Sequence, residues 1–242
     1  MEEKKNTFDT GEDIILPYLH YQGVRNLDFA VLTHEDADHL EGYLSLVDQM
    51  PIQQFIVGDG FPRTELGKEL QLKLTQLHIP IKVIISKTDL ILDSQSRLSF
   101  VFLGNGEKGK ENNLSLVSLL KMYNTSFAFM GDIEEDGEEK WIQNDHVPSV
   151  DLVKVGHHGS NTSTSESLLN QLKPKEALIS VGENNRYHHP SDEVVERLLQ
   201  KQIRIWRTDQ DGGILIWVNS KGYRIEKTRK RVSHIVGNLR IV

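Results

Sequence analysis

Six residues, His34-Glu35-Asp36-Ala37-Asp38-His39, constrain this chain more than any other stretch. They set two imidazoles and two aspartates directly after Leu27-Asp28-Phe29-Ala30-Val31-Leu32, a short β-favouring run that reads as a buried strand ending at Thr33. Leu40, Leu44 and Val47 then recur at helical spacing. The pattern therefore falls on a strand-to-helix turn, where α/β folds place their sites. An acidic helix cap would also put a carboxylate there, but a cap has no need of two flanking histidines. Imidazole mixed with hard carboxylate oxygen accepts Zn, Mn, Fe or Mg, and the extra carboxylate moves the preference away from zinc alone.

One loop cannot close a site for two ions, so further ligands must come from later in the chain. Three apolar segments end in suitable residues. Phe127-Ala128-Phe129-Met130 runs into Gly131-Asp132, whose carboxylate could bridge two cations. Asp151-Leu152-Val153-Lys154-Val155 runs into Gly156-His157-His158-Gly159-Ser160. Ala177-Leu178-Ile179-Ser180-Val181-Gly182 precedes Asn185-Arg186-Tyr187-His188-His189-Pro190. Each alone also reads as a Gly-Asp turn, a surface histidine pair or a Pro-bounded loop. Four strand ends that all carry His or Asp are hard to explain by folding needs.

In this order, His-x-Asp-x-Asp-His, Gly-Asp and His-His-Gly-Ser resemble the metallo-β-lactamase fold, and specifically the soluble hydrolase domain of the ComEC-type DNA-uptake proteins of competence. The resemblance also takes in Asp9-Thr10-Gly11, Ile15-Leu16-Pro17-Tyr18-Leu19, Asn112-Asn113-Leu114-Ser115-Leu116-Val117, Asn185-Arg186-Tyr187 with His189-Pro190, and Asp209-Gln210-Asp211-Gly212, so it covers nearly the whole chain. Asp36 stands where the common superfamily motif has His, and the ComEC branch is similar in using Asp there. The resemblance implies an α/β fold of the αββα four-layer sandwich kind, with strands ahead of the Asp9-Thr10-Gly11 turn. Only Met1 to Phe8 precede that turn. Without such strands one sheet would lose central members and keep an edge open to pairing.

The implied site holds two divalent ions, Mn or Zn, about 4 Å apart, which acidify a bridging water for in-line attack on a phosphodiester. His34, Asp36 and His157 are assigned to one ion, Asp38, His39 and His189 to the other, and Asp132 to both. His158 is left as proton donor or phosphate contact, and Asn113 as a donor to a phosphoryl oxygen. Ser160, with Thr162 and Ser163, follows the histidine pair and suits phosphate, although capping of a helix at Ser165 explains these residues equally well.

Length and composition fit a single domain over residues 1–242, with no linker, internal repeat or composition break. The absence of cysteine excludes disulfides and thiolate ligands. No run of 18 apolar residues occurs, and Met1-Glu2-Glu3-Lys4-Lys5 is too charged to open a signal peptide, so the chain as given reads as soluble. A membrane channel domain, and a place at the outer face of a membrane, are implied only by the resemblance.

The remaining pattern predicts a helix over 64–78 stopped by Pro80, strands at Ile81–Ile85 and Leu98–Leu103, and helices over 165–172 and 191–202. Closing strands around Trp206 and Ile214–Trp217 are expected to be joined by a turn at Asp209–Gly213, and Gly104–Asn112 reads as a loop near the site.

The formal net charge of −7 disfavours broad nucleic-acid binding, but Lys221 to Val242 holds seven Lys or Arg against Glu226 alone. Lys227, Arg229, Lys230 and Arg231 are therefore candidate phosphate contacts, with an ordinary solvated terminal strand as the equal alternative. The reading that follows is a metal-dependent nuclease acting on single-stranded or duplex DNA during uptake. Alternatives are a hydrolase of a small phosphoester or another ester, and a non-catalytic truncated module.

Overall fold

The computed structural model describes residues 8–101, 103 and 111–228. They divide into two compact units, the first ending at Val83 and the second beginning at Ile84.

In the first unit a π-helical turn, Gly11–Ile15, leads into α1 (Leu16–Tyr21), followed by β1 (Leu27–Val31), α2 (Ala37–Gln49), β2 (Ile52–Gly58), α3 (Glu65–Gln76) and β3 (Ile81–Ile84). The strands form a sheet in the order β1-β2-β3, with β1 and β2 parallel. Its core gathers Ala30 and Leu32, Leu40 and Val47 of α2, Phe55 and Val57 of β2, and Leu70 and Leu74 of α3. These spacings of four and seven residues are what put one side of each helix against the strands. Thr64 opens α3 where the sequence places it, its hydroxyl accepting from Gly67 N at 2.9 Å. Among the described residues β1 is an edge strand, paired only with β2.

The second unit opens with β4 (Thr88–Asp93), β5 (Ser96–Val101), β6 (Val117–Met122) and β7 (Thr125–Phe129), each antiparallel to the next. Then come α4 (Glu135–Asn144), β8 (Leu152–Lys154), α5 (Glu166–Leu172), β9 (Glu176–Ile179), α6 (Asp192–Gln200), β10 (Arg204–Arg207), α7 (Thr208–Asp211), β11 (Ile214–Asn219) and β12 (Gly222–Lys227). The seven-stranded sheet runs β10-β9-β8-β7-β6-β5-β4, and from β7 to β10 its strands are parallel. Ala128, Val153 and Ala177 stand in register on three neighbouring strands, all fully buried with Trp141, Leu168, Leu172, Val194 and Leu198. The expected turn at Asp209–Gly213 contains α7 and connects strands of different sheets, because β10 pairs with β9 while β11 pairs with β12. No helix among the described residues is long and apolar enough to cross a membrane.

Candidate metal centre

In the first unit the segment between β1 and α2 carries the His34–His39 motif. Asp36 occupies the N-cap position of α2 with extended backbone (φ −68°, ψ 147°) but makes no side-chain capping bond, so helix capping does not account for it. Thr33 Oγ1 lies 3.1 Å from His34 Nδ1 and 3.3 Å from His39 Nδ1. A hydroxyl oxygen has two lone pairs and can accept from both rings, and that tautomer turns each Nε2 into a metal donor. His34 Nε2 is then 3.6 Å from Asp36 Oδ2, and His39 Nε2 is 4.0 Å from Asp38 Oδ2. Two tetrahedral ligands with metal bonds of 2.0–2.2 Å sit roughly 3.5 Å apart, a spacing that the His34–Asp36 pair has and the His39–Asp38 pair exceeds. The two rings lie 4.2 Å apart.

Glu35, between these donors, serves another purpose. Its carboxylate accepts from Arg63 N at 2.9 Å, from Thr64 N at 2.8 Å and from Thr64 Oγ1 at 2.9 Å, which ties the motif to the start of α3. Gly67 has no room for a Cβ because the Glu35 carboxylate occupies that space. On the other flank Asp9 Oδ1 accepts from Ser45 Oγ of α2 at 2.6 Å and from Glu12 N at 2.8 Å.

In the second unit the ends of three adjacent parallel strands supply the donors, the crevice position general to such sheets. After β7, Gly131 adopts φ 57° and presents Asp132, which is 2 % exposed. After β8, His157 and His158 both have left-handed backbone (φ 44° and 52°), a conformation that costs a non-glycine residue about 1–2 kcal/mol. His158 Nε2 faces Asp132 Oδ2 at 3.5 Å, and His157 Nε2 stands 4.0 Å from the same oxygen. His158 Nδ1 is 2.7 Å from the Ser180 carbonyl after β9. A carbonyl only accepts, so Nδ1 carries the proton and the Nε2 lone pair points to Asp132, as in metal-ligating histidines oriented by a backbone carbonyl. His157 Nδ1 is buried without a hydrogen bond, with Glu134 Oε1 at 3.4 Å. The His189 ring lies 5.7 Å from that of His157. Burial, then the charges of His157 and His158, hold its pKa below the usual imidazole value against the pull of Asp132, which favours the neutral ligand form.

The strained histidine turn is held from several sides. Ser163 Oγ donates to Gly156 O at 2.8 Å, Arg197 Nη1 donates to Thr164 O at 2.7 Å, and the buried Glu138 carboxylate accepts from Thr164 N and Ser165 N at 2.5 and 2.8 Å. Ser115 Oγ accepts from Asp132 N at 2.9 Å, and Asn113 Oδ1 accepts from Glu134 N at 2.9 Å. Asn113 thus holds the turn that presents Asp132. Ser160 is buried with its hydroxyl 3.0 Å from Thr162 Oγ1. The Lys227 ammonium pairs with Asp211 at 2.8 Å, and Arg229, Lys230 and Arg231 lie outside the described residues. Glu35, Glu138 and Ser180 were not legible as site residues. A glutamate that binds backbone N–H groups, or a carbonyl that orients a ring, leaves no periodic signal in a sequence.

Paired imidazoles and carboxylates on strand-end turns of an α/β scaffold define the chain as a metallohydrolase-type protein. The profile of the metallo-beta-lactamase superfamily matches residues 7–183, and the chain belongs to that superfamily, whose members bind divalent metals. It is 32 % identical over 212 residues to ComE operon protein 3 of Bacillus subtilis, spanning 88 % of this chain and 27 % of that protein. It is 29 % identical to Competence protein ComA of Neisseria gonorrhoeae (92 % of this chain, 30 % of that protein). It is 27 % identical to Recombination protein 2 of Haemophilus influenzae (90 % and 26 %). The chain therefore spans between a quarter and a third of the length of these relatives. Among solved structures, CmlA, a diiron β-hydroxylase from Streptomyces venezuelae, shares the fold with a TM-score of 0.52 at 13 % identity, covering 84 % of this chain and 45 % of that one.

Proposed function

We propose that this chain is a metal-dependent phosphodiesterase that cleaves DNA in competence. The observation that carries the reading is His158, with Nδ1 fixed on the Ser180 carbonyl and Nε2 aimed at the buried Asp132 carboxylate. The names of the competence and recombination relatives support the choice of DNA.

His34, Asp36, Asp38 and His39, together with Asp132, His158 and His189, are the residues that would hold the ions, with Asp132 as the carboxylate they would share. Two divalent ions held by these groups would supply an acidified water and positive charge against the phosphoryl oxygens. Three aspartates harden the donor set toward Mn over Zn. In this reading His157 exchanges roles with His158 relative to the sequence reading: with Glu134 Oε1 3.4 Å from its Nδ1, it would carry a proton to the leaving oxygen. Asn113 acts through the Asp132 turn that it holds.

The test is incubation of Mn-loaded protein with single-stranded DNA, duplex DNA and bis(p-nitrophenyl) phosphate. Cleavage of DNA and of the small diester, both lost in Asp132→Ala, is expected. Hydrolysis of the diester alone would favour the small-phosphoester reading, which the net charge of −7 and the pairing of Lys227 with Asp211 also suit.

A further inference from the structure

The loop from Asn185 to His189 is closed by the Asn185 side chain on backbone groups of the loop. Asn185 Nδ2 donates to His189 O at 2.7 Å and to Gly182 O at 3.2 Å, and Asn185 Oδ1 accepts from His189 N at 2.9 Å. This clasp needs neither Arg186 nor Tyr187, yet both project from it. Tyr187 is 62 % exposed, too open to add much to the core. Its ring nonetheless has a fixed setting, nearly parallel to the His189 imidazole (19°) with centroids 5.9 Å apart. The Arg186 guanidinium lies 4.8 Å from the Tyr187 centroid and donates to its hydroxyl at 2.6 Å. An exposed aromatic ring and a planar cation thus stand together beside a candidate ligand, in a chain of net charge −7.

We propose that Arg186 and Tyr187 form a nucleotide subsite next to the metal centre, in which Tyr187 stacks on an unpaired base and Arg186 contacts the adjoining phosphate. The subsite rests on the nuclease reading above. Stacking on an exposed ring is open to any base but requires that the base leave its own duplex neighbours, so the substrate is a single strand or a frayed end. The guanidinium supplies the planar two-donor contact that a phosphate accepts.

The experiment compares KM of the Mn-loaded protein for a thymidine oligonucleotide and for an abasic oligonucleotide of equal length. The parent should favour the base-bearing strand by about 5- to 100-fold, the range that one stacked base supplies. Tyr187→Ala should erase that preference and Tyr187→Phe should keep it, with bound Mn unchanged in both. Arg186→Gln should raise KM for both strands together. A preference that survives Tyr187→Ala, or its absence in a parent that cleaves both strands, overturns the stacking role alone. A parent inert on both strands but active on bis(p-nitrophenyl) phosphate overturns the nuclease reading and the subsite with it.

Discussion

His157 and His158 differ less in position than in what holds each ring, and substitution should separate them. His158→Ala is expected to lose metal, read as Mn equivalents after desalting, whereas His157→Ala should keep metal and lose about 10²- to 10⁴-fold in rate. The opposite pattern would restore the assignment made from the sequence. Alanine at either site also meets the left-handed backbone, so His157→Asn and His158→Asn are the companion variants, asparagine being at ease there. Asp132→Ala should abolish metal binding and turnover together, and activity within a factor of ten of the parent would place the shared carboxylate elsewhere. Glu35 touches no proposed reacting atom but fixes the loop that carries four donors. Glu35→Ala should weaken Mn affinity by about 10- to 100-fold, the usual effect of removing an outer support, as read by calorimetric titration.

At the scale of elements, the histidine turn is anchored through α4 by a carboxylate that pays a solvation cost when ionised. Burial, partly offset by hydrogen bonds from Ser165 and Thr164, raises the Glu138 pKa above its ordinary 4.5. An acid whose pKa is raised on folding contributes its full stability below the unfolded value, and that contribution is lost as pH rises through the folded value. Urea unfolding of the parent should therefore lose stability from pH 4.5 upward relative to Glu138→Gln, and a difference between the two that does not change with pH would contradict this. The same elements show what a sequence discloses. β1, α3, α5 and α6 were legible from apolar spacing and caps, and the ends of β7, β8 and β9 from the Asp and His that follow them. α4 was not, because Glu135–Asn144 has only Trp141 and Ile142 as large apolar residues and makes no stripe. The fate of β11 was hidden as well, since pairing with β12 rather than β10 is a matter of partners that spacing does not encode. Asn113 and Ser160 were recognised by type, but their bonding to the chain itself became visible only with the coordinates.

For the whole molecule, a ligand that binds only the native state stabilises it by mass action, by about 2.7 kcal/mol when free ligand is at a hundred times its dissociation constant. In a chain of 242 residues that corresponds to a rise in Tm of roughly 5–10 °C. Calorimetry with and without excess Mn should show it and a chelator should reverse it. An unchanged Tm, or fewer than one Mn per chain on elemental analysis, would remove the two-ion centre. The seven-stranded sheet changes from antiparallel to parallel at β7, and this divides its assembly in time. β4 to β5 and β6 to β7 close through two-residue turns, so their contacts are local, whereas β8 and β9 can join only after α4 and α5 have crossed back. Loop-closure entropy makes such long-range pairing slow. During refolding, pulsed hydrogen exchange should find amides of β5 and β6 protected before those of β8 and β9. The strand end that carries His157 and His158 would then be completed after the hairpin whose last strand leads to Asp132, and the capacity to hold metal through all three would appear only late in folding.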